Sequence, residues 1–388
     1  MGFQLFTLNI LWLLVADGEG IFGAALILAT SFAFRAVSSL ATGYIVDNFD
    51  KKGIILLSLG ICALLSMLWL GAQFLAVAMV VYITIMLVQD LYGNSINALA
   101  AEKLISEDFI KYNAMGIMTG RIMAIGGNLA SAALIAILPD MVVGFVLAGI
   151  FLTGLLICQR FLPKSDVARK QRSDVRGTQK SDNIRVKLRG KAVAAWGFAK
   201  ENVFKSKGVM TFVVVVFLLN LDYAFITAIL PLYIITIAEI GSPLVLGAIR
   251  AGSNVGGFLA SGVILKYSRH VSRLTKVGLA GSGLLFLSLP FAYRFPIIVI
   301  IFFLVHGFFD MLTQPFYSYF FSSLAVEKRG RVIGIVDSII LMASPLGVLL
   351  GSLLSILGIG FVGVGIGLIF GVAYIIVAKS KSYGAVRL

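Results

Sequence analysis

Apolar runs long enough to cross a lipid bilayer follow one another along most of this 388-residue chain. A transmembrane helix needs about 17–25 mostly apolar residues, and helices satisfy the backbone hydrogen bonds that lipid cannot. The sequence is 59% hydrophobic and only 13% charged, so we predict an all-α membrane protein. The twelve predicted spans are residues 3–16, 21–46, 53–72, 74–100, 112–138, 141–161, 208–238, 243–266, 274–293, 295–324, 331–357 and 359–378.

The first run is short for a span, because Asp17 and Glu19 end it after about four helical turns. Two interpretations are open. Either this helix is tilted or the bilayer is thinned around it, or the recorded start lies inside a longer helix.

A short phrase occurs twice in the chain, about 220 residues apart. Residues 40–47 read LATGYIVD and residues 259–266 read LASGVILK. An offset of 220, one residue more, superposes Asp90 on Asp310. We therefore predict two related six-helix bundles with pseudo-two-fold symmetry. Duplicated membrane proteins of this kind can rock one half against the other around a midplane site, which is the basis of alternating access.

The predicted halves are residues 1–161 and 208–388, joined by a basic linker at residues 162–207. Residues 184–207 mix apolar and basic side chains, so they form either an amphipathic helix on the inner leaflet or a simple tether. We expect the chain to be a monomer.

Lysine and arginine collect in the loops on one side of the predicted membrane. The positive-inside rule places that side, with both termini, in the cytoplasm, and predicts a multi-pass protein of the cell (inner) membrane. The opposite loops carry mostly acidic residues, with Arg294 as the exception. The formal net charge of +14 follows from this topology and from anionic inner-leaflet lipids, so we expect no nucleic-acid partner.

The loop after the second span reads GYIVDNFDKK, with Gly43 and Asp47 on one helical face and the paired bases Lys51 and Lys52 behind them. A glycine at this spacing lets a neighbouring helix approach closely. The pattern resembles the signature loop of the major facilitator superfamily. Asn48 and Asp50 replace the usual Arg and Gly. The resemblance extends over the whole chain and implies the major facilitator fold.

Two segments resemble the macrolide-efflux type of exporter within that superfamily: residues 97–113, and residues 327–332 with the later Ser-Pro-Leu-Gly at 344–347. The resemblance implies proton-driven export of amphipathic drugs, macrolides or siderophores. Two features depart from proton-coupled drug exporters: Gln89 stands where an Arg is usual, and Gly126-Gly127 lacks the expected Pro.

Charged residues inside a bilayer are costly and normally face a cavity or a partner. Depths along the predicted helices match Arg35 with Asp90 and Asp222 with Arg250. Asp310 lies near the same level, one turn from His306. Each pair is either a fixed helix-pinning contact or a carboxylate whose proton occupancy changes as the arginine approaches.

Asp310 has no evident cationic partner in the sequence, so it is the first candidate for proton coupling, followed by Asp222 and Asp90. His306 is a candidate proton relay, although a lone histidine among aromatic residues is more often a packing residue. Arg121 is expected to attract an anionic substrate group or to bind a carbonyl.

Aromatic and amide side chains on the seventh and tenth spans are candidate substrate contacts. The alternative is that the aromatic residues face lipid and the amides join helices. The candidates are Tyr223, Phe225, Phe309, Tyr317, Asn220 and Gln314.

Glycines at small-residue spacing on the fifth, eighth and eleventh spans predict close contact between the halves. Pro345 would free a carbonyl and let the eleventh span bend. The glycines are Gly116, Gly120, Gly252, Gly256, Gly257, Gly347 and Gly351. From this we expect Gly256→Leu to insert but to stall transport.

These features predict a secondary active transporter that exports amphipathic small molecules by alternating access. The proton gradient is the expected energy source, and no cofactor or metal ion is expected. An enzyme is disfavoured, because His270 and His306 are the only histidines and no ligand or nucleophile pattern surrounds them. A channel fits the duplicated halves poorly. A lysophospholipid or other lipid carrier and an uptake carrier of the same fold remain alternatives.

Overall fold

The computed structural model describes residues 2, 3, 5, 7, 8, 12, 20–67, 75–103, 106–163, 201, 203, 205, 207–239, 242–267, 270–323 and 326–380. Helices carry the number of the predicted span that they occupy. In the first half, α1 is described at residues 2, 3, 5, 7, 8 and 12, and the others are α2 Gly20–Asn48, α3 Lys51–Met67, α4 Leu75–Lys103, α5 Ser106–Ile137 and α6 Asp140–Phe161.

In the second half, α8 is Pro243–Tyr267 and α12 is Ile359–Lys379. The remaining helices have two or more parts: α7 is Lys207–Ala224, a π-helical turn Phe225–Ile229 and Leu230–Ile237; α9 is Val271–Leu287 and Leu289–Ala292; α10 is Pro296–Met311 and Gln314–Ser323; α11 is Val326–Leu341 and Ala343–Leu357.

The predicted all-helical membrane fold is confirmed. Every one of the twelve predicted spans contains helical residues in the described part of the chain. Eight of the described helices are long and apolar enough to cross a membrane, and Gly23–Ser38 is a shorter apolar helix. The basic linker and its predicted amphipathic helix lie almost entirely outside the described residues.

Four helices of the second half are interrupted just before a proline. Proline offers no N–H to the carbonyl four residues earlier, so the helix loses a hydrogen bond at that point. The prolines are Pro231 behind the π-helical turn, Pro290 behind Ser288, Pro315 behind Leu312 and Thr313, and Pro345 behind Met342. The first half has no proline before Pro139, and its described helices run without such breaks.

Helix packing repeats when every helix is shifted by six. Helix α2 packs on α4 as α8 packs on α10, and α3 packs on α6 as α9 packs on α12. The halves meet through the equivalent contacts α5–α8 and α2–α11. This arrangement is the pseudo-two-fold symmetry that the repeated phrase predicts.

The halves pack closely at one end of the molecule. A Cβ added to Gly247 of α8 would overlap the Ala132 Cβ of α5. Helix α2 packs more extensively on the second part of α11 than on its first part. We call this end, where α5 ends at Ile137 and α8 begins, the closed end.

Two lysines at the start of α3, just after α2, join it to neighbouring helices. The Lys51 ammonium lies 2.9 Å from the Glu102 carboxylate at the end of α4. The Lys52 ammonium donates to the carbonyl oxygens of Gln159 and Leu162, at 2.8 and 2.6 Å, where α6 ends. A cation is favourable at a helix C-terminus because its last carbonyls lack helical donors.

We expect Lys52→Ala to lower the free energy of unfolding by about 1–2 kcal/mol, because two charge-assisted hydrogen bonds at a half-buried site are lost. Thermal unfolding of the purified protein measures this. Lys379→Ala, at the exposed end of α12, is the matched control and should change stability little. Equal effects of the two variants would contradict the capping role.

Candidate functional site

A cavity of about 330 Å³ lies between the two halves. Helices α1, α2, α4 and α5 line it from one side, and α7, α8 and α10 line it from the other. Polar and charged lining residues are Thr7, Arg35, Tyr82, Gln89, Arg121, Asn128, Tyr223, Thr227, Arg250, Ser253, Asn254, His306 and Asp310. Apolar side chains such as Leu28, Phe32 and Phe303 fill the spaces between them. An amphipathic molecule matches such a lining.

Arg35 and Asp90 form the ion pair that their matched depths predict. The Arg35 Nε donates to the Asp90 Oδ2 at 2.7 Å, joining α2 to α4. Arg35 lines the cavity, whereas Asp90 stands behind it. The pair therefore brings little net charge to the cavity.

The predicted pair of Asp222 and Arg250 is wrong. Arg250 lines the cavity, but Asp222 does not, and the buried Asp222 Oδ2 has no hydrogen-bond partner among the described residues. The two side chains lie at matching depths but point in different directions. Asp222 is thus a buried carboxyl behind the cavity wall.

Asp310 is the carboxylate that lines the cavity in the described part of the chain. It forms no ion pair within 4.0 Å there, although the charge of Arg121 acts on it. The repeat explains this difference from Asp90. Under the offset that superposes Gly43 on Gly262, Asn254 takes the position of Arg35, so α8 has no arginine to pair with Asp310 in the equivalent place.

Asp310 also stands next to the break in α10. The Thr313 hydroxyl and the Thr313 N–H both donate to the Asp310 carbonyl oxygen, at 2.7 and 3.0 Å. In an unbroken α-helix the Gln314 N–H would donate to this carbonyl. At the break, the two bonds from Thr313 take its place. The backbone carbonyl of the residue that faces the cavity is therefore hydrogen-bonded despite the break in the helix.

His306 lines the cavity one turn before Asp310, inside a ring of phenylalanines. Its centroid lies 5.0 Å from Phe286, 6.4 Å from Phe303 and 6.3 Å from Phe370. Its Nδ1 has no hydrogen-bond partner among the described residues. Both proposed roles, packing and proton relay, are compatible with this position.

Arg121 crosses from α5 to the second half. Its Nη2 donates to the Met311 Sδ at 3.2 Å, and a Cβ added to Gly257 would lie 2.9 Å from its Nη1. Gly257 is therefore at the interface between the halves, as predicted, and leaves room for this guanidinium.

Most of the predicted aromatic and amide contacts lie away from the cavity. Tyr223 lines it. The others pack elsewhere: Phe225 on Gly351, Phe309 on Gly281, Tyr317 on Phe212, Asn220 by donating to the Val216 carbonyl at 2.9 Å, and Gln314 at an exposed position. The three aromatic residues therefore pack on other helices of the second half, an arrangement that neither the substrate-contact nor the lipid-facing interpretation predicts.

Several glycines predicted between the halves instead join helices within the second half. A Cβ on Gly252 would lie 3.1 Å from the Ile300 carbonyl oxygen, and one on Gly256 would overlap that of Leu304. On α11, Gly347 meets Leu221 in the same way. A Cβ on Gly116 or Gly120 would have no neighbour within 4 Å in the described part.

Residues of the predicted signature loop lie at the end of α2. Gly43 and Asp47 belong to its last turns, and their side-chain contacts lie outside the described part of the chain. Lys51 and Lys52 make the contacts with α4 and α6 given above.

Sequence reasoning missed part of the lining, including Thr7, Tyr82 and Ser253. Tyr82 and Ser253 each place one hydroxyl among apolar or small residues. Many residues that only pack against neighbours show the same pattern, so the sequence does not mark these two as lining a cavity. Tyr82 is buried, and only the neighbouring arginines distinguish it.

Solved structures of transporters share this fold. The crystal structure of the nucleoside transporter NupG matches with a TM-score of 0.67 and 16% sequence identity, covering 98% of this chain and 99% of that chain. The human organic anion transporter MFSD10 (TETRAN) matches with a TM-score of 0.64 and 14% identity, covering 97% and 95%. At these identities the likeness shows the fold alone.

Curated protein sequences give no match to this chain. The family model of the Major Facilitator Superfamily matches residues 1–336, which includes both copies of the repeated phrase and all the charged residues of the cavity. With its repeated helix packing and its cavity between the halves, this chain belongs to the major facilitator superfamily.

Proposed function

We propose that this protein is a proton-coupled secondary transporter that carries amphipathic small molecules by alternating access. The observation that supports this most directly is the position of Asp310, a carboxylate without an ion pair in the described part, on the wall of the cavity between the halves. An ionisable group inside the membrane is expensive and is usually retained for function.

The charge of Arg121 makes the protonation of Asp310 depend on conformation. Arg121 belongs to the first half and Asp310 to the second, so any rocking of the halves changes the distance between their charges. An approaching cation stabilises the ionised carboxylate, and its departure favours the protonated form. Proton uptake and release at Asp310 would thereby follow the movement of the halves.

The substrate class and direction belong to the proposal. Resemblance to the macrolide-efflux type favours export of a drug, macrolide or siderophore, whereas the names of the two structural neighbours point to a nucleoside or an organic anion. Lipid carriage and uptake are the alternatives. We place the protein in the cell (inner) membrane with both termini in the cytoplasm, because basic residues concentrate in the loops on that side. We further propose that it is a monomer.

Proton movement in proteoliposomes tests the proposal. A pH-sensitive dye inside the vesicles reports proton flux when erythromycin, enterobactin, lysophosphatidylcholine, uridine or naphthoate is added outside. We expect one class to drive proton movement in the parent protein, and Asp310→Asn to lower that rate at least tenfold, because it removes the titrating group. The direction of proton flow relative to substrate separates exchange from co-transport.

Asp337→Asn is the matched control, since Asp337 lies on α11 and does not line the cavity. It should retain most of the parent's proton flux. Undiminished substrate-driven proton movement in Asp310→Asn would overturn the assignment of Asp310, and flux that tracks lipid headgroups alone would favour the lipid carrier.

A further inference from the structure

The charges that line the cavity do not balance. Among the described residues, Arg35, Arg121 and Arg250 face it, against the single carboxylate of Asp310. Asp90 neutralises Arg35 through their 2.7 Å ion pair. Arg121 and Arg250 then remain opposite Asp310, which leaves one positive charge in excess when Asp310 is ionised and two when it is protonated.

Arg250 is an incompletely satisfied cation. Its Nε is buried and has no hydrogen-bond partner among the described residues. Tyr82 and Tyr223 line the same cavity, and a tyrosine hydroxyl is ordinarily neutral, so neither offers Arg250 a countercharge. A buried guanidinium with an unused donor is costly, and an anionic ligand that accepts from it would remove that cost.

Arg121 and Arg250 come from opposite halves of the protein. Both side chains nevertheless lie on the same face of α8. Arg250 and Gly257 are nearly two turns apart on that helix, about 10 Å at 1.5 Å per residue. The Arg121 guanidinium lies against Gly257. The two cations therefore border one stretch of the cavity wall, with the apolar side chains of Leu28, Phe32 and Phe303 lining the same space.

Other titratable groups around Asp310 are few in the described part. Helix α5 contributes Arg121, α7 contributes Tyr223, α8 contributes Arg250, and α10 itself contributes His306 and Tyr317. Helix α9 also packs on α10, but its cations, Arg273 and Lys276, are near its start and do not line the cavity. Asp310 is therefore the anion that competes with a ligand for Arg121.

We propose that the substrate is an amphipathic organic anion held by Arg121 and Arg250, and that it binds together with a proton on Asp310. This inference rests on the proposed transport function and names its substrate class. Protonation of Asp310 removes the charge that competes with the ligand for Arg121. Because such coupling is reciprocal, anion and proton favour each other's binding, which selects co-transport over exchange. With an inward proton gradient, co-transport gives uptake, the alternative to the export that the macrolide-efflux resemblance favours.

Ligand-dependent thermal stability of the purified, detergent-solubilised protein tests this proposal. Naphthoate, its neutral amide naphthamide and the cation naphthylmethylammonium share one ring system and differ in charge. We expect naphthoate alone to stabilise the protein, and to bind about tenfold more tightly at acidic than at alkaline pH. Asp310→Asn should bind naphthoate at every pH as tightly as the parent does at acidic pH.

The arginine variants locate the site. Arg250→Gln and Arg121→Gln should each weaken naphthoate binding at least tenfold, because each loses a charge-assisted contact, whereas Arg250→Lys should retain part of the affinity. Arg294→Gln, at an exposed loop position, is the control and should bind as the parent does. Charge preference and pH dependence are measured on the parent itself, so they test the proposal even where a variant fails to fold.

Four results would each overturn the inference. These are absence of naphthoate binding, equal binding of the neutral or cationic probe, unchanged affinity in both arginine variants, and a pH dependence that survives Asp310→Asn but disappears in His306→Gln. The readout is binding, so it fails separately from transport. Charge-selective binding without proton flux would sink the proposed function while keeping the anion site.

Discussion

Gly256→Ala is expected to lower the free energy of unfolding by about 3 kcal/mol, the upper part of the range for overpacked cores. A methyl group at this position would overlap the Leu304 carbonyl oxygen and lie 2.8 Å from the Phe308 N–H nitrogen. Both atoms are backbone, so α8 and α10 must move apart. Gly307 faces Ser253 across the same contact, which leaves no direction in which the pair can easily shift.

Gly262→Ala, on the same helix, is the matched control. A Cβ there would have no neighbour within 4 Å in the described part, and alanine is the better helix former by about 0.5–1 kcal/mol. Thermal unfolding of the two variants in one detergent should therefore shift in opposite directions. A Gly256→Ala protein as stable as the Gly262→Ala protein would contradict the close α8–α10 contact.

The close contact at Gly256 also changes what we expect of Gly256→Leu. The sequence-based expectation placed Gly256 between the halves, where a larger side chain would stall transport in an inserted protein. The structure places it between two helices of one half. We now expect the larger side chain to destabilise that half before it affects transport.

Gly247→Leu is expected to reduce transport at least tenfold while leaving the protein folded. A Cβ at Gly247 would overlap the Ala132 Cβ and lie 2.8 Å from the Asn128 carbonyl oxygen. These atoms belong to α5, in the other half. The halves can relieve the clash by separating at the closed end, so the conformational equilibrium changes more than the stability of either half.

Substrate-driven proton flux per folded molecule and the midpoint of thermal unfolding together measure this effect. Gly371→Leu, in α12 and with open space around its Cβ, should preserve both quantities. Parent-like flux in Gly247→Leu would show that tight closure at Gly247 is not needed for transport.

The helices themselves were predictable because their signals are physical and local. Apolar length fixes where a span lies, and proline removes a particular hydrogen bond, as the breaks before Pro315 and Pro345 show. The repeated phrase predicts the equivalent packing of the halves. Depth along a helix was sufficient to match Arg35 with Asp90.

Rotation about each helix axis was the part that sequence could not fix. When nearly every face of a span is apolar, periodicity does not show which face looks inward. Asp222 and Arg250 have matching depths but different directions, and Phe225 and Phe309 turn into the second half rather than into the cavity. The prediction that Gly256 and Gly347 lie between the halves was wrong for the same reason, since spacing predicts close contact but does not identify the partner helix.

Distances between spin labels at the two ends of the α5–α8 contact test alternating access most directly. Ile137 and Leu244 report the closed end, and Met115 and Leu265 report the other; all four are exposed at 77%, 52%, 68% and 80%, respectively. Cys62 and Cys158 must first be replaced, since both are free thiols. Double electron–electron resonance in lipid nanodiscs then gives both distances with and without substrate at acidic pH.

We predict a short Ile137–Leu244 distance in the resting protein. Under substrate and protons we expect a second population in which that distance lengthens while the Met115–Leu265 distance shortens. Two distances that lengthen together, or a closed end that stays short under every condition that supports transport, would contradict alternating access by these halves.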